Sequence, residues 1–224
     1  MKKNFAFLVS ALMLTVGTII LTGCGEDDTT PPVITLVGDN PLSLSLGDSY
    51  QEEGATATDD KDGDLTSSIV ITGADAIDED QVGAYNVNYS VSDAAGNVGD
   101  AIRAVNVVND AEPWAGSYTV KDTCGVDALV FNYAQTVTTS TVVNNRVKFN
   151  KFADYSGNTG IYANISGNAI DLPSQTATAI GSMGETHTFQ GSGFKTSNGF
   201  VLTYTDINVS QGGASTTCVA HYTK

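Results

Sequence analysis

Short segments in which apolar and polar residues alternate recur along this chain, and they constrain its fold more than any other feature. In the clearest of them, residues 85–91, tyrosine and valine alternate with asparagine and serine. A period of two places one set of side chains in a core and the other in solvent, as in a half-buried β-strand. Turn residues such as Gly, Asn and Ser separate the segments. We therefore predict an all-β protein.

The first 23 residues have the organisation of a targeting segment. Lys2 and Lys3 precede an apolar run over residues 5–21, as in a secretory signal peptide. Leu21-Thr22-Gly23-Cys24 resembles the lipobox of bacterial lipoproteins. The resemblance implies cleavage before Cys24 and acylation of this cysteine, and each buried CH₂ of an acyl chain contributes about 0.8 kcal/mol to membrane binding. A transmembrane anchor with an incidental cysteine is the alternative.

Residues 24–30 are predicted to be an acidic tether. The run Gly25-Glu26-Asp27-Asp28 resembles the surface-export signal of lipoproteins in some Gram-negative bacteria. That resemblance implies an outer-membrane lipoprotein exposed on the cell surface, held to the membrane by its lipid anchor. A periplasmic location, with the run as an ordinary solvated linker, is the alternative.

Charge is distributed unevenly and divides the chain. Residues 26–110 contain 18 acidic and two basic residues, whereas residues 111–224 contain seven acidic and six basic residues. Such an asymmetry predicts two modules, and we place their boundary near Asp110, where a β-rich run ends in polar residues and a proline. The formal net charge of −15 argues against a nucleic-acid partner, because it repels phosphate groups.

Five short segments of the N-terminal half combine turn residues with strand residues. They read DTTPPVI at 28–34, GATATD at 54–59, DGDLT at 62–66, VGAY at 82–85 and SDAAGN at 92–97. Together they resemble the bacterial Ig-like domain found in pesticidal crystal proteins and many cell-surface proteins. The resemblance implies an Ig-like β-sandwich over residues 31–110 that serves as a spacer or an adhesion module. It does not imply catalysis.

One loop of this module is rich in carboxylates and is a candidate Ca²⁺ site, because Ca²⁺ takes six to eight oxygen ligands. The order differs from an EF-hand loop, since Gly63 precedes Asp64 and Ile71 occupies the position that requires glutamate. The alternative is a turn in which the side chains hydrogen-bond the local backbone. A second place for Ca²⁺ is the linker at Asn109 and Asp110. The predicted ligands in the loop are Asp59, Asp60, Asp62 and Asp64.

Residues 111–224 contain eight further strand-like segments joined by short turns. Local connections between antiparallel neighbours predict a small up-and-down barrel, with a two-sheet sandwich as the alternative. Trp114-Ala115-Gly116-Ser117-Tyr118 resembles the opening of calycin-type barrels, which implies that Trp114 closes one end. The predicted strands are 116–121, 131–141, 146–152, 161–165, 169–172, 186–191, 199–205 and 218–222.

Two cysteines remain besides Cys24. Because exported proteins meet an oxidising compartment, we predict a structural disulfide between Cys124 and Cys218. Such a bond would join the end of the first predicted barrel strand to the last strand. Two free thiols or a reactive pair are the alternative.

Motifs for catalysis are sparse in this sequence. His187 and His221 lack the spacing of metal-binding motifs, and neither a nucleophile elbow nor a phosphate-binding loop is present. We therefore predict a non-catalytic protein whose second module binds a glycan, a lipid or a surface protein. Tyr155 and Phe194 are the candidate ligand-binding residues, because each lies in a polar, Gly-rich stretch. A structural or adhesion protein with a filled barrel core is the alternative function.

Overall fold

The computed structural model describes residues 27–155, 160–180 and 183–224. The predicted signal peptide and the predicted acylation site Cys24 lie outside these residues. The described chain consists of fifteen β-strands and short 3-10 turns, which confirms the all-β prediction. No helix in this part of the chain has the length and apolar character needed to span a bilayer.

Two sheets form the N-terminal part of the molecule. The strands are β1 (Val33–Leu36), β2 (Leu42–Ser45), β3 (Ala55–Asp59), β4 (Gly63–Asp64), β5 (Val70–Thr72), β6 (Gly83–Ser92) and β7 (Val98–Val108). One sheet has the strand order β1-β3-β4 and the other β2-β7-β6-β5. In the second sheet β2 pairs with β7 in parallel, because the chain crosses to the other sheet and returns between them, whereas the remaining pairs are antiparallel.

The core of these sheets contains a charged side chain. Val87, Tyr89 and Val105 form its buried apolar centre. Arg103 lies beside them with no exposed surface, and its guanidinium donates to three backbone carbonyls, to the Tyr89 hydroxyl and to Glu53. The carbonyls are those of Val37 at 2.6 Å, Asp39 at 2.7 Å and Gly54 at 3.1 Å. Arg103 therefore joins strands and loops at a position where apolar side chains alone would leave carbonyls unpaired.

Eight antiparallel strands then form a closed barrel, which confirms the up-and-down barrel and excludes the two-sheet sandwich for this part of the chain. Strands β12 and β13 are longer than predicted. The register of β12 shifts between Leu172 and Gln175, so a bulge interrupts the alternation on which the prediction depended. The strands are β8 (Gly116–Cys124), β9 (Leu129–Thr139), β10 (Arg146–Phe149), β11 (Tyr162–Ser166), β12 (Ala169–Ile180), β13 (Glu185–Thr196), β14 (Gly199–Asn208) and β15 (Ala214–Thr223).

Aromatic side chains fill the barrel at the end where β8 begins. Trp114, in a 3-10 turn before β8, is 3% exposed and packs against Phe200 at 5.6 Å between ring centroids. Phe200 stacks on Tyr222 at 4.1 Å, and Tyr118 meets Phe200 edge to face at 5.2 Å. This end of the barrel is a packed core, as the resemblance to calycin-type barrels implied for Trp114.

The same end of the barrel contacts the N-terminal sheets through a hydrogen-bonded junction. The Asn109 amide donates to the carbonyls of Ser140 at 2.7 Å and Val143 at 2.8 Å, and its oxygen accepts from the Asn145 backbone at 3.0 Å. The backbone N–H of Val82 also donates to the Thr141 carbonyl at 2.9 Å. These contacts hold the turn between β9 and β10 against the sheets, so the opposite barrel end lies away from them.

Candidate functional site

A cavity of about 1030 Å³ opens at the barrel end remote from the N-terminal sheets. The ends of β8, β9, β14 and β15 enclose it, together with the turn over residues 125–128 and residues 153–155. Carboxylates, tyrosines and small hydroxyl side chains line it, with apolar residues toward the outside. The residues that define its chemistry are Asp122, Phe131, Tyr155, Tyr204, Asp206 and Thr216.

The strand alternation explains why these side chains point inward. Along β8 the inward positions read Tyr118, Val120 and Asp122, and all three are buried. Along β14 the buried positions Phe200, Leu202 and Tyr204 lead in the same period to Asp206. In both strands the interior changes from apolar to acidic toward the cavity. The barrel is therefore a solid core at one end and a polar mouth at the other.

Asp122 lies on the floor of this mouth and is 2% exposed. Its carboxylate accepts a short hydrogen bond from the Tyr204 hydroxyl and a longer one, at 3.4 Å, from the Tyr133 hydroxyl. No Lys, Arg or His forms an ion pair with it within the described residues. Burial raises the pKa of Asp122, because the charged form loses hydration that two neutral hydroxyls only partly replace.

Asp206 forms a second polar group at the mouth. Its carboxylate accepts from the Tyr155 hydroxyl at 3.2 Å and contacts His187 Nδ1 at 2.5 Å. The Tyr155 ring lies 4.8 Å from the His187 ring, and His187 Nε2 is 3.6 Å from Glu185. Burial and the adjacent carboxylate raise the pKa of Tyr155, whereas hydrogen bonds from Asn208 and Gln211 help lower the pKa of Glu185. Asp206 thus orients both an imidazole and a phenol beside the cavity.

The disulfide between Cys124 and Cys218 is present and forms part of the cavity wall. The two cysteines are directly opposed partners on β8 and β15, where these strands pair to close the barrel. The bond therefore fixes the two strands at the mouth, and neither sulfur is available as a thiol.

The two predicted ligand-binding residues lie far apart. Tyr155 is partly buried and lines the cavity. Phe194 lies beyond the predicted strand 186–191, but in the structure it belongs to β13, is 59% exposed, and pairs with Ala169 at the opposite end of the barrel. The alternation of β13 extends farther than its Gly-rich sequence suggested, so the predicted end of this strand at residue 191 was wrong. Whether either residue binds a ligand stays a prediction.

Three of the four predicted Ca²⁺ ligands have other partners instead of sharing a site with Asp59. Asp60 lies 3.8 Å from Lys61 Nζ, Asp62 accepts from the distant Ala94 backbone at 2.6 Å, and Asp64 accepts from the Thr66 backbone at 2.9 Å. The hydrogen bond to Thr66 lowers the pKa of the exposed Asp64. Of these contacts, the one made by Asp64 is of the kind expected from the alternative of a hydrogen-bonded turn.

Asp59 instead groups with two carboxylates that the sequence did not single out. Asp28, Asp59 and Asp93 each place one oxygen within 4.8 Å of the others. Asp93 is 7% exposed and accepts from the backbone and side chain of Asn97. Asp59 Oδ1 accepts from the Lys61 and Asp62 backbone, whereas its Oδ2 is buried with no hydrogen-bond donor. Among the described residues, this group is therefore a better candidate for a cation site than the predicted set of loop ligands.

Sequence reasoning also missed Asp122, Asp206 and His187 as site residues. One signal was available for the carboxylates, because each occupies an inward position that continues the apolar alternation of its strand. His187 was set aside because it lacks the spacing of a metal-binding motif, and in the structure it is buried with a carboxylate partner. Only closure of the barrel shows that these side chains share a cavity.

Comparisons with known proteins identify the N-terminal part of the molecule. Residues 34–107 match the family model described as "Bacterial surface protein, Ig-like domain". An uncharacterized 81.3 kDa protein of Acholeplasma phage L2 is 38% identical over 90 residues, which are 40% of this chain and 12% of that relative. The chain therefore spans only a small part of this relative. The predicted Ig-like resemblance is confirmed.

Two solved structures resemble the chain at low sequence identity. The lipoprotein BT2262 from Bacteroides thetaiotaomicron is 18% identical with a TM-score of 0.35, over 86% of this chain and 100% of that one. The structure of CBM51-2 in complex with GlcNAc and INT domains from Clostridium perfringens ZmpB is 17% identical with a TM-score of 0.29, over 86% of this chain and 44% of that one.

Proposed function

We propose that this chain is a non-catalytic surface binding protein. Its residues 34–107 match the Ig-like domain of bacterial surface proteins. The cavity at the barrel mouth holds the ligand, and the Ig-like domain is the spacer that carries the barrel. The observation that carries this proposal is a cavity of about 1030 Å³ at the barrel end remote from the spacer. We propose domain limits of 31–110 and 111–224, as in the sequence prediction.

The dimensions of the barrel support a ligand site. Small-molecule sites commonly have volumes of about 300–1,000 Å³ and combine apolar walls with a few convergent polar groups. Eight-stranded barrels either fill with side chains or hold one small ligand. This barrel combines both arrangements, because Phe200, Tyr222 and Trp114 pack one end while Asp122 and Asp206 face the cavity at the other.

The arrangement of reactive groups favours binding over catalysis. Cys124 and Cys218 are joined to each other, so neither supplies a thiolate nucleophile. His187 is oriented by Asp206, but its Nε2 contacts no hydroxyl within hydrogen-bonding distance in the described part of the chain. A nucleophile and its base are expected within such reach of each other.

The proposed location is the outer surface of the cell. A lipid anchor at Cys24 and the acidic tether over residues 24–30 would hold the chain to the outer membrane. The surface-protein type of the Ig-like domain supports the outer face over the periplasmic one. Mass spectrometry of the protein purified from membranes tests the anchor, since an acylated N-terminal peptide beginning at Cys24 is expected.

The test of the binding site uses the chain without its predicted leader, residues 25–224, and a panel of soluble glycans, amines and fatty acids. Thr216→Trp places a large side chain in the mouth, whereas Thr119→Trp places the same side chain on the exposed outer face of β8. We expect a panel compound that binds the wild type and Thr119→Trp alike but binds Thr216→Trp at least about tenfold more weakly. A panel without any such compound would overturn the proposed site.

The same panel decides between this proposal and a purely structural or adhesive role. The packed aromatic end of the barrel favours the second candidate, because a filled barrel needs no ligand. Under that candidate, Thr216→Trp and Thr119→Trp would leave binding of every panel compound unchanged.

A further inference from the structure

The charge around the barrel mouth is unbalanced. Four carboxylates line the cavity and no lysine or arginine does, within the residues that the structure describes. Lys151 Nζ lies 2.5 Å from one of them, Asp154, and His187 contacts Asp206. Asp122 and Asp127 form no ion pair with any described basic residue. An anionic ligand would meet repulsion here, whereas a cation would be attracted.

Asp122 is the carboxylate for which the excess of negative charge at the mouth has the clearest consequence. Asp122 is 2% exposed, and a carboxylate buried to this degree normally has a cationic partner, because burying an unpaired charge is strongly unfavourable. The hydroxyls of Tyr204 and Tyr133 donate to Asp122 but carry no charge to offset its own. The site therefore lacks a positive group at the floor of a cavity that is open to solvent.

The side chains in the walls of the cavity indicate which chemical group carries such a cation. The aromatic side chains of Tyr155 and the partly exposed Phe131 line the cavity, and aromatic rings attract cations and stack against the apolar face of a sugar ring. Ser215, Thr216 and Thr217 add hydroxyls that both donate and accept hydrogen bonds. An alkyl cation would leave these hydroxyls without partners, so a hydroxylated ring fits the lining better.

We infer that the ligand of the barrel mouth is a sugar that carries a free, protonated amine, and that Asp122 and Asp206 receive this amine. The inference rests on the proposed function, since it names the chemical class of the ligand for that cavity. The amine supplies the positive partner that Asp122 lacks, and the ring lies against the aromatic wall. Neutral and N-acetylated sugars of the same size lose the charge interaction and retain only the stacking and the hydroxyl contacts.

The experiment compares two probes with the same sugar backbone, in which the amines are either free and protonated or acetylated and neutral. Isothermal titration calorimetry at mildly acidic pH measures the affinity of residues 25–224 for the trimer of glucosamine and for the trimer of N-acetylglucosamine. We expect the amine form to bind at least about tenfold more tightly, which corresponds to about 1.4 kcal/mol. Equal affinity, tighter binding of the acetylated form or no binding of either probe would overturn the inference.

Matched variants locate the charge interaction. Asp122→Asn removes the charge on the cavity floor and keeps the acceptor oxygen, so we expect an approximately tenfold loss of affinity for the amine form alone. Asp171→Asn makes the same change on β12 at an exposed site outside the cavity, and it should have no effect. Unchanged amine binding by Asp122→Asn would overturn the inference.

The two proposals fail in different ways. If a neutral compound binds and Thr216→Trp blocks it, the mouth remains the ligand site and only the amine is excluded. If no compound responds to Thr216→Trp, the cavity itself is excluded as a ligand site. The comparison of the two trimers requires no substituted protein, so it stands even where a variant fails to fold.

Discussion

The Ig-like sheets and the barrel each bury a charged side chain, but only the sheets provide a partner of opposite charge. In the sheets, Arg103 has no exposed surface and donates to three backbone carbonyls, to the Tyr89 hydroxyl and to Glu53. In the barrel, Asp122 is 2% exposed and accepts from two tyrosine hydroxyls and from the Thr123 backbone, all of them uncharged donors. One charge has all of its partners within the protein, and the other lacks a partner of opposite charge.

On the proposed function, this difference separates a structural charge, Arg103, from a ligand-binding one, Asp122. A buried charge that is fully paired stabilises one arrangement of the chain, and its neighbours depend on it. A buried charge that faces a cavity without a counter-charge retains interaction energy for a molecule that enters. The predictions below test this contrast, from the largest expected effect to the smallest.

Replacing Arg103 should have the largest effect. Arg103→Met removes the side-chain donors of the Val37 and Asp39 carbonyls, one of the two donors of the Gly54 carbonyl, and the cation that pairs with Glu53. We expect the free energy of unfolding of the Ig-like sheets to fall by about 3–5 kcal/mol, measured by urea denaturation. The control is Arg146→Met, because Arg146 lies over the Tyr162 ring at 4.0 Å on a partly exposed barrel strand. A loss as small as that of the control would make Arg103 dispensable.

Removing the disulfide should affect the barrel and leave the sheets intact. Cys124 and Cys218 are 94 positions apart, so the bond closes a long loop of the unfolded chain. Replacing both by alanine should lower the free energy of unfolding of the barrel by about 2–5 kcal/mol. The tryptophan fluorescence of Trp114, which lies in the barrel core, reports this transition during denaturation. An unchanged barrel midpoint would show that strand pairing alone closes the mouth.

The burial of Asp122 should produce a pH-dependent effect. Because burial raises its pKa, the folded protein still binds this proton at pH values where the unfolded chain, with a pKa of about 3.9, has released it. The free energy of unfolding of the wild type should therefore fall relative to that of Asp122→Asn as pH rises through this window, and it should stay lower above the window. Urea denaturation across the window measures the difference. A difference that does not vary with pH would contradict an unpaired carboxyl.

Binding of Ca²⁺ by the carboxylate group of Asp28, Asp59 and Asp93, a set that differs from the predicted loop ligands, should give the smallest effect. If this group binds Ca²⁺, a free Ca²⁺ concentration of ten times the dissociation constant stabilises the folded protein by about 1.4 kcal/mol. Thermal unfolding with Ca²⁺ and with a chelator measures this. Asp93→Asn should abolish the shift, whereas Asp60→Asn should retain it, because Asp60 lies outside the carboxylate group and beside Lys61. The absence of a shift in the wild type would favour the hydrogen-bonded turn.

The strands were predictable because alternation is a local property. The segment 85–91 lies within β6, and the eight predicted segments of residues 111–224 all correspond to barrel strands. The predictions failed where local regularity is broken. Pro173 and Ser174 lie at the bulge that hid the second half of β12, and glycines at 191 and 193 made β13 look like a loop around Phe194.

The site was less predictable because it depends on which strands meet. Asp122 and Asp206 belong to β8 and β14, which are both neighbours of β15 and approach each other only when the barrel closes. Asp93 and Asp28 likewise reach Asp59 from loops distant in sequence. The sequence indicated a carboxylate-rich turn and one cavity residue, Tyr155, but it did not indicate their neighbours.

The Asn109 junction has a mechanical consequence. The Asn109 amide donates to two carbonyls of the β9–β10 turn, those of Ser140 and Val143. These hydrogen bonds restrict rotation of the barrel relative to the spacer. In a chain anchored at its N-terminus as proposed, the sheets and the barrel would then move as one rigid unit and not as two independently mobile domains. A force on a captured molecule would then pass through this junction to the sheets, so the sheets and the barrel would move together and the mouth would keep its orientation relative to the spacer.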